Sequence, residues 1–202
     1  MMGLSTTVEE ASLKNISDAL GGISYKAPTI LKNVANATGK ATIKRMQEKM
    51  DKKYGITSDK INIKKSMRRV SATFANPRTI IETKSPIYSL GYFQVTPRKL
   101  AYGKNKPETY KGAVLRDALK KLVWKDDKGK DNKGFYIRFK NGHEDIAIRL
   151  PNSREVQTIN APSIPGMAGE TYREGVEEET MELMKKNLQK EIDLFFKRRD
   201  KA

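Results

Sequence analysis

The 202-residue chain has no cysteine, one histidine, one tryptophan and only 7% aromatic residues. Without thiols there is no disulfide framework, no thiolate metal site and no cysteine nucleophile. A lone histidine, His143, removes the metal triads that need two imidazoles. No stretch reaches the roughly 18 apolar residues of a bilayer span, and the opening MMGLSTTVEEASLKN lacks the basic start and apolar run of an export signal. The expectation is a soluble protein made in the cytoplasm, with no membrane partner.

Acidic residues are also scarce: 24 Asp and Glu face 40 Lys and Arg, a net charge of +16. Such an excess points to a polyanionic neighbour, either nucleic acid or an acidic protein surface. A lysine-rich surface with no partner is the equal alternative. From Glu170 onward nine acidic and eight basic residues nearly cancel, so the preceding residues hold 32 basic and 15 acidic ones, or +17. The length allows one substantial domain with helical extensions.

Periodicity and punctuation then place the elements. Leu13, Ile16 and Leu20, stopped by Gly21-Gly22, predict a short first helix within an N-terminal extension, residues 1–24. A long amphipathic helix is predicted from Pro28 to Tyr54, with proline in its first turn and Gly55 as its stop. Its small residues, among them Gly39, suit close packing against another element. Ser58 and Asp59 suggest the cap of a short helix, SDKINIKKSMRR. Val70, Ala72 and Phe74 alternate, Asn76-Pro77 turns the chain, and Thr79 to Thr83 read as the return strand. Tyr88, Tyr92 and Phe93 are read as core plugs rather than as stacking platforms. In the lysine-rich stretch from Lys99 to Lys133, Val114 to Val123 fit a helix or a strand equally, and WKDDKGKDNKG reads as an exposed turn.

Phe135, Ile137 and Phe139 alternate with polar residues, Asn141-Gly142 breaks the run, and Ile146 and Ile148 resume it: a β-hairpin. A Pro-rich loop then leads to a helix over 171–199. There Thr171 and Glu174 fit a capping box, and Val176, Met181, Met184, Leu188, Ile192 and Phe195 lie on one face. The fold class is α+β: antiparallel hairpins packed with a long helix in the N-terminal half and a long C-terminal helix. The expected division is 1–24, a basic core over 25–169, and a C-terminal helix over 170–202.

No residue set announces chemistry. His143, Glu144 and Asp145 are consecutive, and neighbouring strand residues point to opposite faces, so the three do not converge on one ion. Asp126, Asp127 and Asp131 lack the glycine and terminal glutamate spacing of a calcium loop. Ser163 has no nucleophile-elbow context, and Gly103 and Gly112 form no phosphate loop. The reading assigns no catalytic residue, no metal and no cofactor. Lys64, Lys65, Arg68 and Arg69 are the candidate DNA- or partner-facing basic surface, because KKSMRR would put several charges on one helical turn.

Two stretches carry a family resemblance: Phe135 to His143, FYIRFKNGH, in which Gly142 and His143 are the specific match, and Pro162, Ser163, Ile164 and Pro165, followed by Met167. With them the chain resembles the phage minor tail protein Z family over most of its length. Two departures are Ala161 in place of an expected glycine and a longer Lys99–Lys133 segment. The resemblance implies a structural virion protein, not an enzyme, that completes the head-proximal end of a tail and assists head-tail joining and DNA passage. It further implies a homo-oligomeric ring, six-fold by tail symmetry. The expected partners are tail terminator, tube and connector proteins, with contact to packaged DNA. A basic nucleic-acid-binding module acting outside a virion is the alternative.

Overall fold

The structure is a computed structural model that describes residues 3–6, 26–98, 104, 106–125, 129–150 and 155–199. The expected helix around Leu13 to Leu20 lies outside the described residues, while Gly3–Thr6 just before it is a strand, β1. The architecture is α+β, with two long helices and several small antiparallel sheets. Two compact units divide the chain: unit 1 comprises Met1–Glu48, Lys64–Lys84 and Met167–Ala202, and unit 2 comprises Lys49–Ile63 and Ser85–Gly166. The expected partition at 24/25 and 169/170 follows chain order, whereas these units are assembled from separated pieces.

Unit 1 is built on helix α1 (Ala27–Lys53), which contributes its residues up to Glu48. Ala27, Ile30, Leu31, Val34, Thr38, Thr42 and Met46 recur at three- and four-residue spacing and are buried, forming the stripe of an amphipathic helix. Against Ile30 and Val34 pack Met184, Leu188, Ile192, Phe195 and Phe196 of helix α4 (Glu177–Arg199). A polar ladder accompanies this seam: Asn33 to Glu191 at 2.9 Å, Thr38 to Asn187 at 3.0 Å, Thr42 to Thr180 at 3.0 Å, and Arg45 to Glu179 at 3.1 Å. Numbers rise along α1 as they fall along α4, so the two helices run antiparallel.

The sequence pattern places Met181 inside, yet Met181 is 52% exposed and Thr180 is buried in its stead. The hydroxyl of Thr180 donates to Val176 O at 2.7 Å and meets the Thr42 hydroxyl, so burial leaves it with partners.

A three-stranded sheet completes unit 1 in the order β1, β3 (Thr79–Thr83), β2 (Met67–Val70). Met67 pairs with Thr83 and Val70 with Ile80, so the return strand is where it was expected, but its partner is Met67–Val70 rather than Val70 to Phe74, and Phe74 is exposed. Asn36 ties α1 to the end of β2: its Nδ2 donates to Ala72 O at 3.0 Å and its Oδ1 accepts from Ala72 N at 2.9 Å. One side-chain amide thus serves Ala72 as a neighbouring strand would. Gly39 lies against Thr79, whose methyl occupies the space any Cβ would need.

The capping box at Thr171 and Glu174 does not form. Helix α3 (Ile164–Thr171) already begins at Ile164, and Thr171 has helical dihedrals with its hydroxyl buried and unbonded. A π-turn over Tyr172–Val176 follows, where Glu174 (ψ 33°) and Gly175 (φ 112°) leave helical geometry before α4 starts. Gly175 is therefore the kink itself rather than a tolerated early helical residue, because an L side chain resists that φ.

Unit 2 is mostly strands. Sheet β5 (Gln94–Thr96), β6 (Lys111–Ala113), β7 (Lys120–Lys121) makes the end of the ambiguous segment extended, whereas residues 114–119 form an irregular turn in which Asp117 adopts φ 60°. Hairpin β8 (Val123–Lys125) with β9 (Asp131–Lys133) follows. Leu122, between β7 and β8, donates its N–H to Tyr110 O and accepts from Gly134 N, each at 2.8 Å, so one residue couples the two strand groups. The second sheet has the order β10 (Phe135–Arg138), β11 (Glu144–Arg149), β12 (Val156–Thr158). β4 (Tyr88–Ser89) pairs with β13 (Asn160–Ala161), which buries Ala161 in a strand. Phe93, Tyr110, Leu122, Ile146 and Ile164 lie at its centre.

Candidate nucleic-acid interface

The basic run that sequence spacing singles out is dispersed. Lys64 and Lys65 sit in a one-turn helix, α2 (Ile63–Ser66), whereas Arg68 and Arg69 belong to β2. A strand turns successive side chains to opposite faces. Arg68 accordingly points outward, 4.0 Å from Glu82, and Arg69 turns back to donate to Asn36 Oδ1 at 3.0 Å. The shared helical turn is corrected to a helix-to-strand junction, and Arg69 is a packing residue. Residues Met67 to Val70 take strand geometry because they pair with β3.

The hairpin over 135–148 is present with its turn at Asn141-Gly142, where Gly142 adopts φ 79° and donates to Phe139 O at 2.9 Å. Alternation fails in β11: Asp145, Ile146 and Ala147 are all buried, on both faces of the strand. The three consecutive polar residues separate as strand geometry requires. Glu144 pairs with Arg138, accepting from its Nε at 2.6 Å, while His143 and Asp145 share a face, His143 Nε2 to Asp145 Oδ2 at 3.3 Å.

Asp145 is 1% exposed. Its Oδ1 accepts from Gly91 N at 3.0 Å and Ile146 N at 2.7 Å, which makes this burial sustainable. Gly91 has to be glycine, since a Cβ there would strike the carboxylate. The pair fastens the hairpin turn to the 3-10 turn Leu90–Tyr92. Sequence reasoning missed Gly91, 54 residues from Asp145, and no local signal reveals it.

Above this pair lies an open cleft of about 270 Å³ lined by Lys60, Tyr92, Arg98, Tyr136, His143 and Glu144, among others. Tyr92 and His143 rings approach to 5.9 Å, and His143 stacks on Phe139 at 5.9 Å. Phe93 is the core plug expected of it, while Tyr88 and Tyr92 are only half-buried. Burial, and then the Glu144 carboxylate beside it, push the Tyr136 phenol above its ordinary value, so it remains a hydrogen-bond donor. Ser58 also lines the cleft, but its hydroxyl accepts from Lys60 N at 3.3 Å within its own turn. Among the described residues no group of three or more metal-ligating side chains converges.

A second open cleft, of about 390 Å³, is more strongly charged. It brings together Lys106, Lys130, Lys133 and Arg149 with Asp131 and the half-buried Phe135. Asn132 on β9 donates to Arg149 O at 2.6 Å, which holds the end of β11 beside the hairpin. The Arg149 guanidinium lies 6.0 Å from the Phe135 ring centre. Lys133 reaches Glu108 only at 3.7 Å, with both side chains well exposed. Nearby, the register sets Lys111 directly opposite Lys121, a like-charge pair that costs stability. The lysine density of this stretch was visible in the sequence, but its union with Arg149 depends on strand pairing.

Of the remaining signature residues, Ser163 caps α3, accepting from Gly166 N at 3.4 Å. Pro165 sits in the first turn, where its missing N–H is no loss, and Ile164 is fully buried with its N–H bonded to Ser85 Oγ at 2.8 Å. Pro162 to Met167 is thus a helix start rather than a loop. No protein-family profile, no curated protein and no solved structure matches the chain.

Proposed function

We propose that this chain is a structural virion protein that completes the head-proximal end of a phage tail, where it assists head-tail joining and DNA passage. The observation that carries the reading is the role of the residues behind the resemblance. Gly142 makes a hairpin turn, His143 is clamped by buried Asp145, and Ser163, Ile164 and Pro165 start a helix. These are architectural duties, as a scaffold subunit requires, and none of these side chains joins a nucleophile or metal constellation among the described residues.

The basic body adds support. Unit 2 holds 20 basic and 10 acidic residues, and its clefts direct cations outward, which suits a subunit beside DNA. Assembly into a homo-oligomeric ring, six-fold to match the tail, belongs to the same proposal, as do contacts with terminator, tube and connector proteins. The decisive experiment deletes the gene in a phage that encodes it. Tails that assemble but fail to join heads, rescued by added protein, support the reading. Normal infectious particles lacking the protein sink it.

The second reading, a nucleic-acid-binding module outside a virion, is favoured by the same charged cleft. It predicts tight, salt-sensitive DNA binding by a protein that never copurifies with tails.

A further inference from the structure

We infer that the cleft formed by Lys106, Lys130, Lys133 and Arg149 is a binding site for the phosphate backbone of double-stranded DNA, read without regard to sequence. The inference rests on the proposed function only in naming DNA as the polyanion at hand. Its physical basis is the cleft.

Among the described residues, four cations from three chain segments line one open groove with one lining carboxylate, Asp131, and Glu108 3.7 Å from Lys133. Lys106, Lys130, Lys133 and Arg149 are all exposed, so each reaches a phosphate with little desolvation. The planar fork of Arg149 suits a phosphate's two oxygens, and the lysines act as mobile point charges. Adenine edges are read by a free amide and guanine edges by an arginine or lysine held in a fixed pose, whereas the lysines here are exposed and the Arg149 guanidinium lies 6.0 Å from the Phe135 ring centre. Asn132, the one amide among the described residues of the groove, commits one N–H to Arg149 O. Single-strand binders offer open aromatic platforms for bases. Phe135, the one ring among the described residues here, is half-buried under the Arg149 guanidinium and offers no such platform. A protein partner is disfavoured because protein interfaces are depleted in lysine and centre on apolar anchors, whereas Phe135 and Leu150 in this groove are both half-covered.

The test is a fluorescence-anisotropy titration of the full chain with a short mixed-sequence DNA duplex, repeated across salt concentrations. Engagement of about four phosphates predicts that wild-type affinity falls about 100-fold between about 50 and 200 mM salt. Lys106→Glu/Lys130→Glu/Lys133→Glu changes three exposed side chains. It should weaken binding at least about tenfold at low salt and flatten the salt slope to that of about one contact. Lys64→Glu/Lys65→Glu/Arg68→Glu, an equal charge change on exposed positions of unit 1, should cost less than about threefold. Circular dichroism establishes that both variants fold, and the corresponding glutamine triples replace any that does not.

Equal losses in the two variants would show diffuse attraction and overturn the assignment. So would tighter binding to poly-glutamate of matched charge, or to single strands, than to the duplex. Tail copurification is scored separately. A chain that enters tails while both variants bind DNA alike loses the cleft assignment alone. A chain that binds DNA through the cleft yet never enters tails loses the tail proposal alone.

Discussion

In unit 1, polar side chains on α1 face polar side chains on α4: Asn33 with Glu191, Thr38 with Asn187, Thr42 with Thr180, Arg45 with Glu179. Among the described residues of unit 2 a single carboxylate, Asp145, is buried, and cations line open clefts. The charge tally follows the same division. Unit 1 has 20 basic and 14 acidic residues, for +6, and unit 2 has 20 and 10, for +10. The contrast shows that a basic sequence can contain one unit that spends its polar groups on its own helix seam and another that turns them outward. The helix seam consists of many modest contacts, whereas the hairpin turn depends on one strong node.

The sharpest way to break that comparison is Asp145→Ala. It strips two backbone N–H groups and His143 of their acceptor in a buried place, and should destabilise the protein by about 3 kcal/mol in chemical denaturation. Asp145→Asn keeps an oxygen for Gly91 and Ile146 and should lose about half as much. Hydrogen exchange should quicken first at the Gly91 and Ile146 amides. If the Thr180 amide quickens equally, the node is not local to unit 2.

Gly175→Ala comes next, at about 2 kcal/mol, because φ of 112° is barred to an L side chain. Gly142→Ala, with open space around it and φ 79°, should cost about 1 kcal/mol. Equal thermal shifts for the two would deny the kink its special geometry.

The seam is probed by Thr180→Val, expected to cost about 1–2 kcal/mol, since it removes the partner of the buried Thr42 hydroxyl along with the side-chain bond to Val176 O. Thr42→Val leaves Thr180 bonded to Val176 O and should cost under about 1 kcal/mol. The double variant should cost no more than Thr180→Val alone, and full additivity would disprove the contact.

The smallest effect is alkaline. Burial and then Glu144 raise the Tyr136 phenol, while burial and then Glu177 raise that of Tyr172. Both groups stay protonated in the folded chain after the unfolded chain has begun to ionise. The stability they lend is complete below the ordinary tyrosine range, near pH 10, and is lost as pH rises through the raised values. Tyr136→Phe should make the melting temperature less sensitive to pH above about 10. An unchanged alkaline slope would show that Tyr136 contributes none of it.

Much of this architecture was legible wherever a period repeats. α1, α4, strand β3 and the turn at Gly142 follow from spacing and turn residues. What stayed hidden depends on partners far along the chain. Thr180 displaces Met181 from the seam because Thr42, 138 residues away, meets its hydroxyl. Arg68 and Arg69 leave the predicted helix because β3 pairs with them. Thr171 resembles a cap only until the helix is seen to begin at Ile164, capped by Ser163. The charged cleft was half visible, as lysine density without Arg149.

The nesting of unit 2 between pieces of unit 1 sets a timetable on the ribosome. Asn33 and Glu191 are 158 residues apart, so at about 5–20 residues per second α1 exists for roughly ten to thirty seconds before α4 is made. During that interval Ile30 and Val34 have no seam to enter, while every segment of unit 2 is translated before α4 is. Nascent chains stalled before Glu177 should therefore carry an uncovered helix stripe, the kind of surface on which chaperones act.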